Sequence, residues 1–318
     1  MAKAQKFQMY VLLVMVMAAW GFNVVGIKVI VSHFPIVTIT SLRIFTAAIS
    51  VFTILAFLRK IRIPTRKELR YIAAAGFFNV VCHHFFLSIG LAKTTASNGG
   101  LILGLGPLLS AILAFIFLKS RVTLVKVLGI ILGFTGVAFI VLAGHGGLSL
   151  SSISLGDLYI FLSILTQAYS FVLIKKVSDT LDPRLLTGYM MLFGSIVLFF
   201  LSLVMEPGGL RELSNGSFGI WMIFLASAVI ATAIGHMIYN YAVSMVGVTE
   251  AAIFINFEPV FTLVGAVTFL GENISMAQIL GFLLILFGVL FGSGALEEFL
   301  HQSRRNRKTV YGGKAKHL

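Results

Sequence analysis

The sequence repeats itself between residues 107–139, PLLSAILAFIFLKSRVTLVKVLGIILGFTGVAF, and residues 259–291, PVFTLVGAVTFLGENISMAQILGFLLILFGVLF. The alignment needs no gap and pairs Pro107 with Pro259, 152 positions further on. The other identical pairs include Phe117 and Phe269, Leu118 and Leu270, Gly129 and Gly281, Gly136 and Gly288, and Phe139 and Phe291. One structural unit is therefore present twice in the chain.

The composition places both copies in a membrane. Of the 318 residues, 58% are hydrophobic and only 11% are charged, whereas soluble domains carry about 25% charged residues. The same balance excludes a disordered chain, which needs few apolar residues and many charges. A helix that crosses the bilayer needs about 20 mostly apolar residues. Ten such stretches are Gln8–Val31, Val37–Leu58, Leu69–Leu91, Thr95–Leu118, Val125–Ala143, Asp157–Ile174, Leu185–Met205, Phe218–Tyr241, Glu250–Leu270 and Met276–Ala295.

These ten spans predict an all-α membrane protein made of two five-helix repeats. The first repeat covers residues 1–145, the second covers 155–295, and a basic tail follows at 296–318. Because five is odd, the second repeat enters the membrane from the side opposite to the first. Such inverted-topology repeats are typical of secondary transporters.

The positive charges predict the orientation of the bundle. The net charge is +13, which on a soluble protein would favour a nucleic-acid partner. With the N-terminus inside, however, 20 of the 24 Lys and Arg residues fall on the cytoplasmic side, and the outer connector Gly144–Gly156 has none. Positive residues collect on the inner side of membrane proteins. We therefore expect both termini in the cytoplasm, the lipid bilayer as partner and no nucleic acid.

Several short motifs along the chain form a recognisable set. They are Trp20-Gly21-Phe22-Asn23 followed by Lys28, Leu42-Arg43, Pro107 with Gly129 and Gly136, Glu258-Pro259, and Leu270-Gly271-Glu272 followed by Gly281 and Gly288. With the repeat and the span count, this set resembles the drug/metabolite transporter superfamily, in its ten-helix branch of two EamA domains. The resemblance implies export or exchange of small metabolites, such as amino acids or toxic compounds, across a bacterial cytoplasmic membrane. One departure is Leu118-Lys119-Ser120, where the family usually has a glutamate.

Polar groups inside a membrane span are costly, so they tend to face the bundle interior or a wet cavity. We take those of the predicted spans, with two neighbouring aromatic residues, as candidates for a substrate pathway. The candidates are Trp20, Asn23, Arg43, Asn79, His83, His84, Asn98, His236, Tyr239, Asn240, Asn256 and Glu258.

Two interpretations stay open for several of these side chains. The amide of Asn23 suits either a substrate or an interhelical hydrogen bond. Lys28 is expected to snorkel toward the outer interface. For Arg43, a structural ion pair or a carbonyl cap is the first interpretation, and binding of an anionic substrate group is the second.

The histidines raise the question of proton coupling. Asn79 and His83 share one helix face, and His84 points about 100° away. His84 and His236 are 152 positions apart and so are repeat mates. A symmetric pair favours a proton relay, because histidine titrates near neutral pH, but neutral, hydrogen-bonded core residues are slightly preferred. No carboxylate or thiol pattern surrounds them, so we expect no metal and no cofactor.

Spans four and nine are expected to face the pathway. A carboxylate in mid-membrane is rare, so Glu258 is expected to carry a proton or meet a substrate ammonium group. Pro259 deprives the carbonyl of Ile255 of its usual donor, and broken backbone of this kind is tolerated where it lines a cavity. Asn98 and Asn256 are predicted to be neighbours in the same pathway. The small residues of spans five and ten, such as Gly133 and Gly288, are expected to pack within the bundle.

The function predicted from these features is secondary transport of a small organic metabolite, in the direction of export, by alternating access. The sequence has no Gly-x4-Gly-Lys-Ser/Thr motif, so ATP is not the direct energy source. A membrane-embedded enzyme is the alternative, as is uptake or exchange by the same fold, but no nucleophile–base arrangement or paired intramembrane aspartates are visible. A monomer or a weak homodimer is expected.

Overall fold

The computed structural model describes residues 3–118, 123–142 and 154–292. Within these ranges all regular structure is helical. The first half contains α1 (Lys3–Val31), α2 (Ile36–Phe57), α3 (Arg66–Gly76), α4 (His83–Lys93), α5 (Ala96–Leu103), α6 (Gly106–Leu118) and α7 (Leu124–Leu142). The second half contains α8 (Leu155–Val177), α9 (Pro183–Met205), α10 (Gly209–Glu212), α11 (Phe218–Leu225), α12 (His236–Val246), α13 (Val248–Ile253), α14 (Glu258–Leu270) and α15 (Met276–Gly292).

Within the described ranges, eight helical stretches are long and apolar enough to cross a membrane. Two shorter apolar helices, Val127–Val141 and Met276–Phe291, lie where the fifth and tenth spans are predicted. The predicted tail at 296–318, the Lys119-Ser120 departure and most of the connector 144–156 lie outside the described residues. The count of ten spans, their inverted topology and the cytoplasmic termini therefore stay predictions.

Helices of one half pack mainly on helices of the other. The repeat mates α2 and α9 pack on each other, and so do the mates α7 and α15. In the same way α1 packs on α14, and α4 packs on α8. Each half therefore depends on the other for much of its buried surface.

Glycines bring α7 and α15 together at backbone distance. A Cβ added to Gly288 would lie 2.5 Å from the backbone nitrogen of Gly133, and one added to Gly136 would lie 2.6 Å from the carbonyl oxygen of Gly281. Small residues allow this kind of approach between membrane helices. The expectation that these glycines pack within the bundle is confirmed.

Both halves interrupt one span at corresponding positions. Two residues, Gly104 and Leu105, separate α5 from α6, and a 3₁₀ turn over Phe254–Phe257 leads into α14. Pro107 and Pro259 are each the second residue of the helix that follows the break. The carbonyl of Ile255 is not left free as expected, because the N–H of Glu258 donates to it across the 3₁₀ turn.

A second interruption, also present in both halves, is a π-helical segment. It covers Phe77–Cys82 in the first half, between α3 and α4, and Ala226–Gly235 in the second half, between α11 and α12. Each segment ends where a histidine begins the next α-helix, at His83 and at His236. Such π-helical turns are frequent at functional sites, which directs attention to these histidines.

Candidate functional site

The repeat mates His84 and His236 meet inside the bundle. Their ring centroids are 5.6 Å apart, and both side chains are almost completely buried. The two π-helical segments position them, since each ring follows the π-helical stretch of its own half. Each half thus contributes one of two equivalent histidines to a single site.

Aromatic side chains of α1 and α12 form one wall of this site. The ring of Trp20 lies 4.7 Å from that of His236 and 5.1 Å from that of Tyr239, centroid to centroid. The indole N–H of Trp20 donates to the carbonyl oxygen of Ala231 at 2.9 Å. Trp20 is therefore held by the π-helical segment of the second half.

Arg43 supplies the positive charge of the site. Its side chain is only 1% exposed. Its Nη1 donates to Thr232 Oγ1 at 2.9 Å and lies 3.5 Å from Ser227 Oγ, and its Nη2 donates to His84 Nδ1 at 3.3 Å. No carboxylate pairs with Arg43 in the described part of the chain, and all three partners are neutral side chains. The expected ion pair or carbonyl cap is therefore not what the structure shows.

Such an arrangement is energetically unusual. Burying a guanidinium without a counter-charge costs several kcal/mol in real proteins, and hydrogen bonds from three neutral groups offset only part of that. A buried charge of this kind persists where function requires it. The second interpretation of Arg43, as a binder of an anionic group, is the one that the described contacts favour.

Hydrogen-bond partners determine the proton positions on the three histidines. A carbonyl can only accept, so His236 Nδ1, 3.1 Å from the Thr232 carbonyl, carries a hydrogen. His83 Nδ1 likewise faces the Ser163 carbonyl, while His83 Nε2 accepts from Gln167 Nε2 at 3.1 Å. An arginine can only donate, so in the neutral ring of His84 the hydrogen is on Nε2.

Three buried polar atoms of the site have no hydrogen-bond partner among the described residues. They are His84 Nε2, His236 Nε2 and the hydroxyl of Tyr239. Buried polar groups are nearly always hydrogen-bonded, and an unsatisfied one costs about 1–3 kcal/mol. By the assignments above, the first atom offers a hydrogen and the second offers a lone pair. The site can therefore donate a hydrogen bond to a polar ligand and accept one from it.

The three histidines also raise the question of a metal ion. One ring nitrogen from each of His83, His84 and His236 lies within 4.8 Å of the others, a grouping that the sequence did not predict. Ligation through His84 Nε2 would, however, require Arg43 to give up its bond to Nδ1. Two like unit charges at about 4 Å repel by about 4 kcal/mol at an effective dielectric constant of about 20. Arg43 therefore makes the cluster more favourable for an anion than for a divalent cation.

Glu258 lies at the start of α14, beside α1. Its side chain is buried, with 7% exposed, and it makes no hydrogen bond or ion pair with the part of the chain that the structure describes. The close approach depends on Gly21, because a Cβ there would lie 2.6 Å from the carbonyl oxygen of Glu258. The carboxyl group thus lies in the interior without a structural partner in the part of the chain that the structure describes.

Four of the predicted pathway asparagines instead join helices or bind their own backbone. The bonds are Asn79 to Ser170 at 2.7 Å, Gln278 to Asn98 at 2.8 Å, Asn240 to Thr187 at 2.8 Å and Asn256 to the Ile253 carbonyl at 2.8 Å. The shared face of Asn79 and His83 is confirmed, since both contact α8. These contacts hold the asparagines in the packed bundle, but the amide oxygens of Asn240 and Asn256 have no hydrogen-bond partner among the described residues, so a pathway role for these two stays a prediction.

Asn23 borders a groove of about 220 Å³ between α1 and the segment Phe218–Gly235. Its amide oxygen has no partner among the described residues. Ser227 lines the same groove and lies beside Arg43. The groove therefore connects Asn23 to the polar neighbourhood of Arg43.

Lys28 does not simply snorkel to the interface. Its ammonium group donates to the carbonyl oxygens of Leu91 at 2.6 Å and Thr94 at 2.7 Å, at the end of α4. Basic groups stabilise the last carbonyls of a helix in this way. Lys28 is thus a structural tie within the first half.

A profile of the EamA-like transporter family matches residues 8–142 and again residues 154–293. The chain belongs to the EamA-like transporter family. Membership establishes the broad class of function, membrane transport by a multi-pass protein, and it agrees with the resemblance seen in the motifs. It also makes the meeting of the two halves at His84 and His236 a feature of a duplicated transporter unit.

Relatives of this EamA-like transporter occur in bacteria and archaea. The uncharacterized transporter YyaM of Bacillus subtilis is 31% identical over 271 residues, which cover 85% of this chain and 88% of that protein. An uncharacterized transporter of Archaeoglobus fulgidus is 28% identical over 281 residues, covering 88% and 96%. A protein of known crystal structure shares the fold with a TM-score of 0.66 at 15% identity, over 91% of this chain and 97% of that one.

Proposed function

We propose that this EamA-like transporter is a secondary transporter that exports a small organic metabolite across the cytoplasmic membrane by alternating access. The observation that carries the proposal is the polar site, to which the first half contributes Arg43 and His84 and the second half contributes Thr232 and His236. A site formed between two related halves changes its access when the halves move relative to each other. The predicted inverted topology would relate the two access states by an approximate two-fold rotation about an axis in the membrane plane.

Proton coupling through Glu258 is part of this proposal. The carboxyl group is buried and has no ion-pair partner among the described residues. A buried carboxyl that gains and loses a proton with the access state is a common element of proton-driven transporters. The ring of Trp20 contacts those of His236 and Tyr239, and the neighbouring Gly21 lies against the backbone of Glu258, so we place the proton site and the polar site in adjoining parts of the interior.

The test is solute movement in proteoliposomes. Candidate solutes come from a growth-tolerance screen of overexpressing cells against amino acids and toxic metabolites. A pH gradient is expected to drive net flux in the native protein, whereas Glu258→Gln is expected to abolish that flux and retain solute exchange. Glu212→Gln, which changes an exposed glutamate on α10, is the matched control and should behave like the native protein. Gradient-driven flux that is unchanged in Glu258→Gln would contradict proton coupling.

The alternatives have distinct outcomes in the same vesicles. Chemical conversion of a solute without vectorial movement would favour a membrane-embedded enzyme. Net movement only inward would favour uptake by the same fold. Flux that follows the solute's electrochemical gradient with no counterflow would favour a channel.

A further inference from the structure

The segment that connects α2 to α3 is strongly basic and is held firmly in place. Residues 59–70 contain six Lys and Arg residues and one acid, Glu68. Glu68 is buried, and the guanidinium of Arg62 donates to its two carboxylate oxygens at 2.7 and 2.9 Å. Arg62 also donates to the carbonyl oxygen of Thr180 at 2.8 Å, and its own carbonyl accepts from the hydroxyl of Tyr189 at 2.9 Å. The connector is thus fixed against the second half of the chain.

Four of the six basic side chains have no ion-pair partner among the described residues. They are Arg59, Arg66, Lys67 and Arg70, and all four are exposed. Arg66 and Lys67 occupy the first turn of α3, where the helix dipole favours negative groups instead. The described part of the chain therefore leaves a concentrated positive charge uncompensated at this end of the bundle.

Arg59 keeps its charge in a backbone conformation that disfavours any side chain. Its φ is 53°, and it is the one residue other than glycine with a positive φ in the described ranges. Its N–H donates to the carbonyl of Ala56, and the N–H of Lys60 donates to the carbonyl of Leu55, the pattern in which helices usually end on glycine. Glycine adopts this conformation without strain. Strain of this kind persists where the side chain has a function.

The exposed face of α3 continues from this basic end into an apolar strip. Arg66 and Arg70 are four residues apart and share a helix face. Leu69 and Phe77, which are 48% and 45% exposed, lie on the same side. At a rise of about 1.5 Å per residue, Phe77 lies about 16 Å from Arg66 along the axis, roughly half the thickness of the hydrocarbon core. One face of a membrane-spanning helix thus carries charge at the surface and apolar side chains below it.

We infer that this face binds an anionic phospholipid, with Arg66 and Arg70 at the phosphate, Arg59 adding charge from the connector, and an acyl chain along Leu69 and Phe77. The inference is independent of the transport function proposed above. In the predicted topology the connector is cytoplasmic, and the cytoplasmic leaflet carries the anionic lipids that attract basic segments next to a membrane helix. The apolar strip favours a lipid over an acidic protein or a soluble anion, since neither of these has a chain to cover it.

Native mass spectrometry of the purified full-length protein in a neutral detergent measures this binding. The probes are palmitoyl-oleoyl phosphatidylglycerol and palmitoyl-oleoyl phosphatidylcholine, which have the same chains and differ in the net charge of the headgroup. We expect the first phosphatidylglycerol to bind with a Kd at least about ten-fold lower than that of phosphatidylcholine. Glycerol 3-phosphate, which has the phosphate but no chains, should not displace it.

Variants separate the headgroup contacts from the chain contacts. Arg66→Gln and Arg70→Gln should each weaken phosphatidylglycerol binding by about five-fold, the effect of one basic residue near an anionic headgroup, and leave phosphatidylcholine binding unchanged. Leu69→Ser should weaken the binding of both lipids and keep their ratio. Arg211→Gln, at an exposed arginine of α10, is the matched control and should keep the full preference.

Arg59→Gly tests the strained position in a second way. Without anionic lipid, this variant should unfold at a higher temperature than the native protein, because glycine relieves the strain. A lipid that binds the folded protein raises its unfolding temperature. Phosphatidylglycerol should therefore raise the unfolding temperature of Arg59→Gly by less than that of the native protein. An equal rise in both proteins would exclude Arg59 from the lipid site.

Four results would overturn the inference. They are equal affinities for the two lipids, an unchanged preference in both Arg66→Gln and Arg70→Gln, an equal loss of preference in Arg211→Gln, and displacement of phosphatidylglycerol by glycerol 3-phosphate at a similar concentration. The last result would assign the basic segment to a soluble anion. The third would show that the lipid responds to the net charge of the protein and not to this face of α3.

Discussion

Glu272, in the loop after α14, caps the first turn of α5 by accepting hydrogen bonds from Ser97. The carboxylate accepts from the backbone N–H of Ser97 at 2.9 Å, from its hydroxyl at 2.6 Å, and from the N–H of Ala96 at 2.8 Å. Gly271 makes this reach possible: it ends α14 with a φ of 65°, a left-handed conformation that glycine adopts without strain. The contact joins the second half of the chain to the first.

A second carboxylate repeats this relationship at α2. Glu206, after α9, accepts from the backbone N–H groups of Val37 at 2.9 Å and Thr38 at 2.8 Å, and from the hydroxyl of Thr38 at 2.8 Å. Helix N-termini present free N–H groups and a partial positive charge, so a carboxylate there is stabilising. In the predicted topology both contacts lie on the outer side, where they would hold the two halves together.

We therefore expect Glu272→Gln to weaken the contact between the end of α14 and the start of α5. An amide oxygen replaces a charged double acceptor, so the free energy of unfolding should fall by about 1 kcal/mol. Thermal unfolding of the purified protein measures this change. Glu212→Gln, at an exposed site on α10, serves as the control and should leave the unfolding temperature within error. An equal effect of both variants would argue against a specific cap.

Gly21 determines how closely α1 approaches α14. A Cβ at this position would lie 2.5 Å from the Cβ of Phe261, closer than two carbon atoms can pack. Gly21→Ala should therefore lower the free energy of unfolding by about 1–3 kcal/mol, as overpacked cores do, despite the higher helix propensity of alanine.

Gly219→Ala is the matched control for this change. The glycine lies on α11, and a Cβ there would meet nothing nearer than Ser217 Oγ at 4.0 Å. Its unfolding temperature should stay the same or rise slightly. A Gly21→Ala protein as stable as the control would show that α1 and α14 can separate at little cost.

The pair Asn240 and Thr187 tests whether a predicted pathway residue packs helices instead. The amide of Asn240 donates to Thr187 Oγ1 at 2.8 Å across α12 and α9, and both side chains are fully buried. A double-mutant cycle with Asn240→Leu and Thr187→Val should give a coupling energy of about 0.6 kcal/mol, the usual value for such bonds in membrane proteins. Exchange activity in proteoliposomes should survive in Thr187→Val. Its loss, with stability intact, would return Asn240 to the pathway.

The spans were predictable from sequence because the bilayer imposes a length and an apolar composition on every crossing helix. The prediction Val37–Leu58, for example, differs by one residue at each end from α2. The repeat offset of 152 also paired His84 with His236 correctly, and the structure places these mates side by side. Hydropathy therefore predicts where each span lies in the sequence, and the repeat predicts which residues of the two halves are equivalent.

The partners of Arg43 were not predictable in the same way. They depend on how each helix is rotated about its axis and on which helices are neighbours, and an evenly apolar span gives little signal for either. The π-helical segment Ala226–Gly235 also changes which side chains of this span point toward the interior. It places Thr232 beside Arg43. Thr232 and Ser227 were not predicted as site residues, because small hydroxyl residues within spans commonly bind their own backbone, as Thr135 does.

The contact of Asp182, in the second half, with Lys60, in the first half, predicts a pH dependence of stability. Burial acts to raise the pKa of the Asp182 carboxyl, but the side-chain and backbone hydrogen bonds from Arg184, with the charges of Arg184 and Lys60, hold it below its usual range. Since the folded-state pKa is lower than that of the unfolded chain, these contacts stabilise the fold above a pH of about 3.9, the ordinary aspartate value. The stabilisation is lost as the pH falls through the folded-state pKa.

We expect Asp182→Asn to unfold at a lower temperature than the native protein at pH 7, and we expect this difference to shrink as the pH falls below about 3.9. Asparagine caps a helix about as well as aspartate, so the difference isolates the charge. Its size should be no more than about 1 kcal/mol, because Lys60 is exposed to solvent and the ion pair is screened. Thermal unfolding across this pH range, with Asp179→Asn at the neighbouring exposed aspartate as control, measures the effect. A stability difference that stays constant as the pH falls below about 3.9 would mean that the substitution acts through packing and not through the carboxylate charge.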